Sequence, residues 1–241
     1  MAQGIVTIIQ SDGTQVTQYF DENGKQQKGV AVKGLDGHLH YFDGASGNML
    51  FKSWGRLADG SWLYVDEKGN AVTGKQTINN QTVYFNDDGR QIKNNFKELA
   101  DGSWIYLNNK GVAVTGEQII NGQTLYFGND GRQFKGTTHI NATGESRYYD
   151  PDSGNMITDR FERVGDNQWA YFGYDGVAVT GDRIIKGQKL YFNQNGIQMK
   201  GHLRLENGIM RYYDADTGEL VRNRFVSVSY THLTLPTICS V

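Results

Sequence analysis

Four copies of a Gln-x-Lys motif carry the side chains of this 241-residue chain that are best suited to binding chemistry. Residues i and i+2 of an extended strand project to the same face, so the glutamine and lysine of each copy are expected to point together. A glutamine amide offers an acceptor and two donors, and a lysine amine offers three donors, which suits a neutral ligand rich in hydroxyl groups. A solvated strand face is equally consistent with the pattern. The copies are Gln26–Lys28, Gln91–Lys93, Gln133–Lys135 and Gln198–Lys200.

Other groupings of reactive residues form no recognisable catalytic or metal site. Asp150–Gly154 and Asp214–Gly218 begin like a calcium-binding loop, but the position of its bidentate glutamate holds Phe161 in one and Phe225 in the other. The five histidines show no ligand spacing, and the single cysteine, Cys239, excludes a disulfide framework and a cysteine-based metal site. Carboxylates recur in the turns of every repeat, as turn chemistry requires. The sequence therefore predicts no enzyme activity, no metal and no cofactor.

Composition favours many short strands joined by tight turns. The chain has 31 glycines against 2 prolines, with 14 tyrosines and 11 phenylalanines, and its mean hydropathy is −0.57. Most aromatic rings are expected to be structural, because they are the main apolar material available. A net charge of −2 without a basic cluster argues against nucleic-acid binding. No apolar run is long enough to cross a bilayer, and residues 1–9 lack the features of a signal peptide, so we interpret the chain as a piece of a longer protein.

A tyrosine followed by a second large residue recurs every 20 to 23 residues. Such a regular period is the signature of a tandem-repeat architecture, and it predicts ten units. The tyrosines are Tyr19, Tyr41, Tyr64, Tyr84, Tyr106, Tyr126, Tyr148, Tyr171, Tyr191 and Tyr212.

Turn signals within the units predict β-hairpins. Asn121-Gly122 lies between two short β-prone segments, and a two-residue hairpin turn of this kind needs positive φ at both positions. Asp36-Gly37 and Asp101-Gly102 are interpreted as variants of the same turn. A single hairpin is not stable in water, but stacked hairpins bury a shared surface. We therefore predict an all-β solenoid of tandem β-hairpin repeats of about 20–23 residues over residues 1–225, followed by a non-native or disordered tail at 226–241.

The units resemble the glucan-binding repeats, also called cell-wall-binding or YG repeats, of glucansucrases and glucan-binding proteins of Gram-positive bacteria. The resemblance covers roughly residues 10–225 and depends on motifs such as Val112–Gly116, Gly122–Phe127 and Asp130–Gly136. It implies sugar pockets between adjacent units. In each pocket an aromatic ring would stack on a glucosyl unit, while the glutamine and lysine of Gln-x-Lys bond its hydroxyls.

The ring of each pocket is expected to come from the unit that follows the lysine. In each aromatic pair, alternation is expected to send one ring to the core and the other outward, and the sequence does not say which. The motif at Gln26 and Lys28 departs from the family pattern, because no arginine or tryptophan precedes Tyr41 in the unit that follows. The expected sugar-binding residues are Gln91, Lys93, Trp104, Tyr106, Gln133, Lys135, Tyr148, Tyr149, Gln198, Lys200, Tyr212 and Tyr213, with Gln26, Lys28 and Tyr41 as a divergent set.

These observations predict a non-catalytic, monomeric module that binds an α-glucan such as dextran through several weak pockets. Its place would be the terminal part of a secreted or cell-surface glucansucrase or glucan-binding protein, without nucleic-acid binding or membrane insertion. A choline-binding anchor and a toxin-type receptor-binding array are the alternatives, and a passive spacer is a third. The four tryptophans, Trp54, Trp62, Trp104 and Trp169, are too few and too irregularly spaced to cage a quaternary ammonium in every unit.

Overall fold

The computed structural model describes residues 2–204 and 210–222, and within these residues all regular structure is β-strand. No helix long and apolar enough to span a membrane occurs in them. The strands are β1 (Gly4–Ile9), β2 (Gln15–Phe20), β3 (Gln26–Gln27), β4 (Val30–Lys33), β5 (Leu39–Phe42), β6 (Ser53–Arg56), β7 (Trp62–Val65), β8 (Gly74–Ile78), β9 (Gln81–Phe85), β10 (Asn95–Glu98), β11 (Trp104–Leu107), β12 (Gly116–Ile120), β13 (Gln123–Phe127), β14 (Thr137–Ile140), β15 (Ser146–Tyr149), β16 (Arg160–Gly165), β17 (Gln168–Phe172), β18 (Gly181–Ile185), β19 (Gln188–Phe192), β20 (Gly201–Arg204) and β21 (Met210–Tyr213).

The described strands pair with their neighbours in the chain to form ten antiparallel sheets. Nine are two-stranded hairpins, and one is the three-stranded sheet β1-β2-β3. Within each unit, the segment that follows a hairpin returns along the hairpin before it. For example, the Ala71 N–H donates to the Leu39 carbonyl at 2.6 Å, and the Ala178 N–H donates to the Ser146 carbonyl at 2.8 Å. The prediction of an all-β fold of tandem hairpins is confirmed.

The hairpin turns are of two kinds rather than one. Asn121 and Gly122 both have positive φ, at 52° and 77°, as the predicted two-residue turn requires. At Asp36-Gly37 only the glycine is left-handed, and the loop is longer, because Gly34 and His38 close it through a backbone hydrogen bond of 2.8 Å. The Asp36 carboxylate stabilises this loop by accepting the N–H of His38. Asp-Gly therefore marks a different turn from Asn-Gly.

The hydrophobic core lies along one face of the hairpins. Strand alternation places Leu125 and Phe127 of β13 inward, and both are fully buried together with Ile120 of the paired strand. The second residue of the aromatic pair takes the core position here, while Tyr126 is only half-buried. Aromatic rings and scattered aliphatic side chains thus share the burial, as the composition indicated.

Internal contacts group the chain into two units, unit 1 (Met1–Phe134) and unit 2 (Lys135–Val241). Each has its own buried clusters, such as the one around Leu63 in unit 1 and the one around Leu190 in unit 2. The single domain expected over 1–225 stays a prediction, and the tail expected at 226–241 lies outside the described residues.

Candidate carbohydrate-binding site

One face of the β6–β7 hairpin in unit 1 presents a group of aromatic and basic side chains. Trp54 and Arg56 alternate on β6, and Trp62 and Tyr64 alternate on β7, where the intervening Leu63 is fully buried. The register pairs Trp54 with Tyr64 and Arg56 with Trp62. The Trp54 and Tyr64 rings meet edge to face with centroids 5.3 Å apart, which fixes Trp54 in place. Trp62 remains 36% exposed, so its indole is available to a ligand.

Two cations flank the Trp62 indole. The guanidinium carbon of Arg56 lies 6.0 Å from the ring centroid, and the amine nitrogen of Lys93 lies 5.3 Å from it. Partial burial lowers the pKa of Lys93 from its ordinary value, and repulsion by Arg56 lowers it further. Both groups are within cation–π range of the ring.

Gln91 is fixed beside this ring by backbone and side-chain contacts. Its N–H donates to the carbonyl of Trp62 at 2.7 Å, and its Nε2 donates to the carbonyl of Lys110 at 3.1 Å. The approach of the amide to the turn requires glycine at position 111. Gly111 has φ 76°, and a Cβ there would lie 2.5 Å from the Cδ atom of Gln91. The glutamine thus connects the tryptophan hairpin to the turn of a later repeat.

Together these residues line an open cleft of about 290 Å³ in unit 1, which we call the Trp62 cleft: Trp54, Trp62, Gln91, Lys93, Asn109 and Lys110. An indole surface next to amide and amine groups can stack on the apolar face of a sugar ring and bond its hydroxyls. Within the described residues, no group of three or more His, Cys, Asp or Glu side chains is placed to hold a metal ion.

Unit 2 repeats this scaffold on the β16–β17 hairpin. Phe161 and Arg163 alternate on β16 and Trp169 and Tyr171 on β17, with Phe161 paired to Tyr171 and Arg163 to Trp169. Phe161 therefore stands where unit 1 has Trp54, and its ring meets Tyr171 edge to face at 5.0 Å. Trp169 is 39% exposed, close to the exposed fraction of Trp62.

Gln198 and Lys200 complete the scaffold in unit 2. The Gln198 N–H donates to the Trp169 carbonyl at 2.7 Å, and its Nε2 donates to the Thr217 carbonyl at 2.9 Å. The Lys200 amine donates to the carbonyl of Asp216. Gly218, with φ 76°, has the role of Gly111, since a Cβ there would lie 2.9 Å from Cδ of Gln198. We call this group, with Trp169, the Trp169 cleft.

The ring beside Gln91 and Lys93 comes from the hairpin that precedes them, whereas the sequence analysis expected it from the unit that follows. The return segment that carries Gln91 pairs backward with Trp62, which brings Lys93 over the indole of Trp62. Sequence reasoning had noted the tryptophan-bearing repeats. The signal it missed is that Trp62 and Trp169 precede Gln91 and Gln198 by the same interval.

Trp104 and Tyr106, expected to serve Gln91 and Lys93, have other contacts. The Trp104 carbonyl accepts the N–H of Gln133 at 2.7 Å, the bond that Trp62 makes with Gln91. Tyr106 is half-buried against Phe96, with ring centroids 4.9 Å apart. Both rings also pack against the buried cluster of Ile120, Leu125 and Phe127, so Tyr106 contributes to packing between hairpins.

Tyr148 and Tyr149 are both buried, at 7% and 0% exposure, so neither ring of this pair faces outward as alternation suggested. The hairpin that follows covers the outer ring, and Tyr148 packs with Ala170 and stacks on Phe172 at 6.1 Å. Neither tyrosine has an exposed face for a sugar, and we do not include them in the proposed site.

Tyr212 and Tyr213 show the ordinary alternation. Tyr213 is fully buried, and its hydroxyl donates to a carboxylate oxygen of Asp182 at 3.2 Å. Burial raises the pKa of Tyr213 above its ordinary value. Tyr212 is half-buried, and its carbonyl accepts the N–H of Val221 at 3.0 Å.

The motif formed by Gln133 and Lys135 falls on the division of the chain, with the glutamine at the end of unit 1 and the lysine at the start of unit 2. Within unit 2, the Lys135 amine donates to the Asp152 carbonyl at 2.8 Å. This is the same kind of lysine-to-turn bond that Lys200 makes with Asp216.

The divergent motif, Gln26 and Lys28, also forms hydrogen bonds with a turn. Gln26 donates to the Ser46 carbonyl at 3.2 Å, and the Lys28 amine donates to the Ala45 carbonyl at 2.8 Å. Tyr41 is buried, and its hydroxyl donates to the Arg56 carbonyl at 2.5 Å. These contacts stabilise the turn at residues 45 and 46.

Residues 6–54, 72–112, 114–161 and 179–225 match the choline-binding repeat family. The chain belongs to the choline-binding repeat family. It is similar to glucosyltransferase-S of Streptococcus mutans, with 40% identity over 93% of this chain and 12% of the relative. It is also similar to glucosyltransferase-I of Streptococcus downei, with 34% identity over 95% of this chain and 12% of the relative. The chain thus spans about an eighth of the length of these curated relatives, and the resemblance to a glucosyltransferase repeat region is confirmed.

Solved structures show the same fold. Choline binding protein F of Streptococcus pneumoniae has a TM-score of 0.62 and 21% identity, over 94% of this chain and 96% of that chain. CbpJ of Streptococcus pneumoniae has a TM-score of 0.60 and 18% identity, over 92% and 96%. These likenesses confirm the solenoid of tandem hairpin repeats.

Proposed function

We propose that this chain is a non-catalytic module that binds an α-glucan through the Trp62 and Trp169 clefts. The observation that supports it most is the recurrence, in both units, of an exposed tryptophan beside the backbone-anchored glutamine of a Gln-x-Lys motif. An exposed aromatic ring that occurs at the same position in both copies of a scaffold is typical of a binding surface.

Each cleft would hold a glucosyl residue in the same way. The indole face of Trp62 covers the C–H face of the sugar, which the hydrophobic effect and dispersion favour. The Gln91 amide bonds the turn through one N–H, and its oxygen can accept a hydroxyl of the sugar. The Lys93 amine donates to a second hydroxyl from above the ring.

A single open cleft of this size is expected to bind weakly, with a dissociation constant of about 1 mM, or about −4 kcal/mol. Two clefts on one chain can engage one flexible polymer, which raises the apparent affinity by roughly 10² to 10⁴ without new contacts. The module is therefore suited to holding long chains rather than short sugars.

Isothermal titration with dextran polymer and with short α-1,6-linked oligosaccharides tests this proposal. We expect the polymer to bind roughly 10² to 10⁴ times more tightly per chain than the oligosaccharide. Equal affinities would refute cooperation between clefts, and no binding of either would refute glucan binding.

The relatives support a place for the module in a larger protein. They are named glucosyltransferases, and this chain corresponds to about an eighth of their length. We propose that it is the repeat region of such an enzyme, acting as a monomer outside a Gram-positive cell, with the catalytic part elsewhere in the parent protein. Sedimentation of the isolated chain checks the monomeric state.

Choline binding is the second candidate, because the family matched is that of choline-binding repeats. A quaternary ammonium is attracted to an aromatic face but repelled by nearby cations. Lys93 and Arg56 lie near the Trp62 ring, and their charge disfavours a further cation there but not a neutral sugar. Retention on a choline-mimicking amine resin, with elution by free choline, would support this candidate over glucan.

A further inference from the structure

The Trp62 cleft carries an excess of positive charge. Arg56 and Lys93 lie beside the Trp62 indole and Lys110 lines the cleft, and within the described residues none of the three makes an ion pair. No aspartate or glutamate lines the cleft. Arg56 repels the Lys93 amine, and this repulsion contributes to the lowered pKa of Lys93. Three cations held together without a counter-charge raise the energy of the empty cleft.

The other two arginines of unit 1 are neutralised by ion pairs. Arg90 bonds Asp59 at 3.1 Å and Asp88 at 2.5 Å. Arg132 bonds Asp101 and Asp130, each at 2.8 Å. Among the described residues, Arg56 therefore differs from the other two arginines of unit 1 in having no carboxylate partner.

The Trp169 cleft has a different charge although its scaffold is the same. Thr217 provides the carbonyl that Lys110 provides in unit 1, so the third cation is missing. Asp216 precedes that threonine where unit 1 has the neutral Asn109. Arg163, the equivalent of Arg56, pairs with Asp166 at 3.6 Å. The two clefts thus share a sugar platform and differ in electrostatics.

We propose that the Trp62 cleft selects a glycan that carries an anionic substituent, a phosphate or a carboxylate, on or next to the stacked sugar. This inference rests on the proposed function, because the indole and the Gln91 amide still hold the sugar ring. The anion would be bonded by Lys93, Lys110 and Arg56, whose donors suit phosphate and carboxylate oxygens. The Trp169 cleft, with its acidic neighbours, would keep its preference for a neutral glucan.

The test compares neutral dextran, carboxymethyl dextran and phosphorylated dextran of equal length in titrations at low salt. Wild-type protein is expected to bind at least one anionic polymer roughly fivefold more tightly than the neutral one. The preference should shrink as ionic strength rises from about 0.01 M to about 0.15 M, because the screening length falls from about 30 Å to about 8 Å. Preference for the phosphorylated polymer would assign a sugar phosphate, and preference for carboxymethyl dextran would assign an acidic sugar.

Lys110→Thr, which installs the residue of the equivalent position in unit 2, should lower the ratio of anionic to neutral affinity by roughly two- to fivefold. Lys68→Thr is the matched control, since Lys68 precedes the left-handed Gly69 of an equivalent turn and does not line the cleft. Thr217→Lys should raise the ratio.

Equal affinity of wild type for neutral and anionic dextrans, or equal effects of Lys110→Thr and Lys68→Thr, would overturn the inference while leaving glucan binding intact. Failure of neutral dextran to bind, with the anionic polymers bound, would instead refute the proposed neutral-glucan function.

Discussion

Replacing Gly111 by alanine probes the contact that holds Gln91 in the Trp62 cleft. Gly111 has φ 76°, a conformation that costs a residue with a Cβ about 1 kcal/mol. The new Cβ would also lie 2.5 Å from Cδ of Gln91, so the amide must leave the carbonyl of Lys110. Loss of that hydrogen bond adds about 1 kcal/mol. The total expected loss of unfolding free energy is about 2 kcal/mol.

Gly122→Ala separates the two effects. Gly122 has φ 77°, almost the same backbone strain, but nothing lies within 4 Å of the Cβ position. It should therefore cost only about 1 kcal/mol, and glucan binding should be unchanged. Urea unfolding followed by tryptophan fluorescence measures both variants, and titration with dextran measures the cleft. Equal destabilisation by the two substitutions, or unaltered binding by Gly111→Ala, would refute the role given to the Gln91 contact.

Three further outcomes are expected. Ile105→Ala empties part of a fully buried site and should lower the unfolding free energy by about 2 to 5 kcal/mol, measured by urea unfolding. Hydrogen bonds from Ser61 and Arg90 lower the pKa of Asp59 to about 2, so its stabilising contribution is present above about pH 4 and is lost as pH falls through about 2. When the unfolding free energy of Asp59→Asn is measured against pH, the loss of stability due to Asp59 at low pH should be absent. Asn121→Gly, at φ 52°, should be neutral or stabilising, whereas Asn121→Val should raise the unfolding rate in stopped-flow urea jumps.

The hairpins were predictable from the sequence because their signals are local. Asn121-Gly122 marks its own turn, and the tyrosine period repeats the pattern in every unit. The longer Asp36-Gly37 loop was less accessible, since it depends on how the aspartate carboxylate bonds the backbone of His38 rather than on the dipeptide alone.

The partners within the site were harder to predict because they depend on non-local contacts. Which tryptophan meets Lys93 is decided by the backward pairing of the return segment with Trp62, a register that the tyrosine period does not specify. Burial of both Tyr41 and Phe42 has a similar origin. The small Gly55 of the next hairpin lets the Tyr41 ring approach so closely that a Cβ at Gly55 would lie 2.5 Å from Cε1 of Tyr41. A glycine opposite an aromatic ring predicts burial of that ring only when it is known which hairpins stack on each other.

Dextran titration of the Trp62→Ala, Trp169→Ala and doubly substituted proteins measures directly whether the two indoles hold the polymer. Each single substitution should remove one cleft and reduce the apparent affinity by at least tenfold through loss of avidity. The double substitution should abolish measurable binding while circular dichroism shows the strands unchanged, since both indoles are partly exposed. Binding of the double variant with wild-type affinity would contradict the assignment of glucan binding to these clefts.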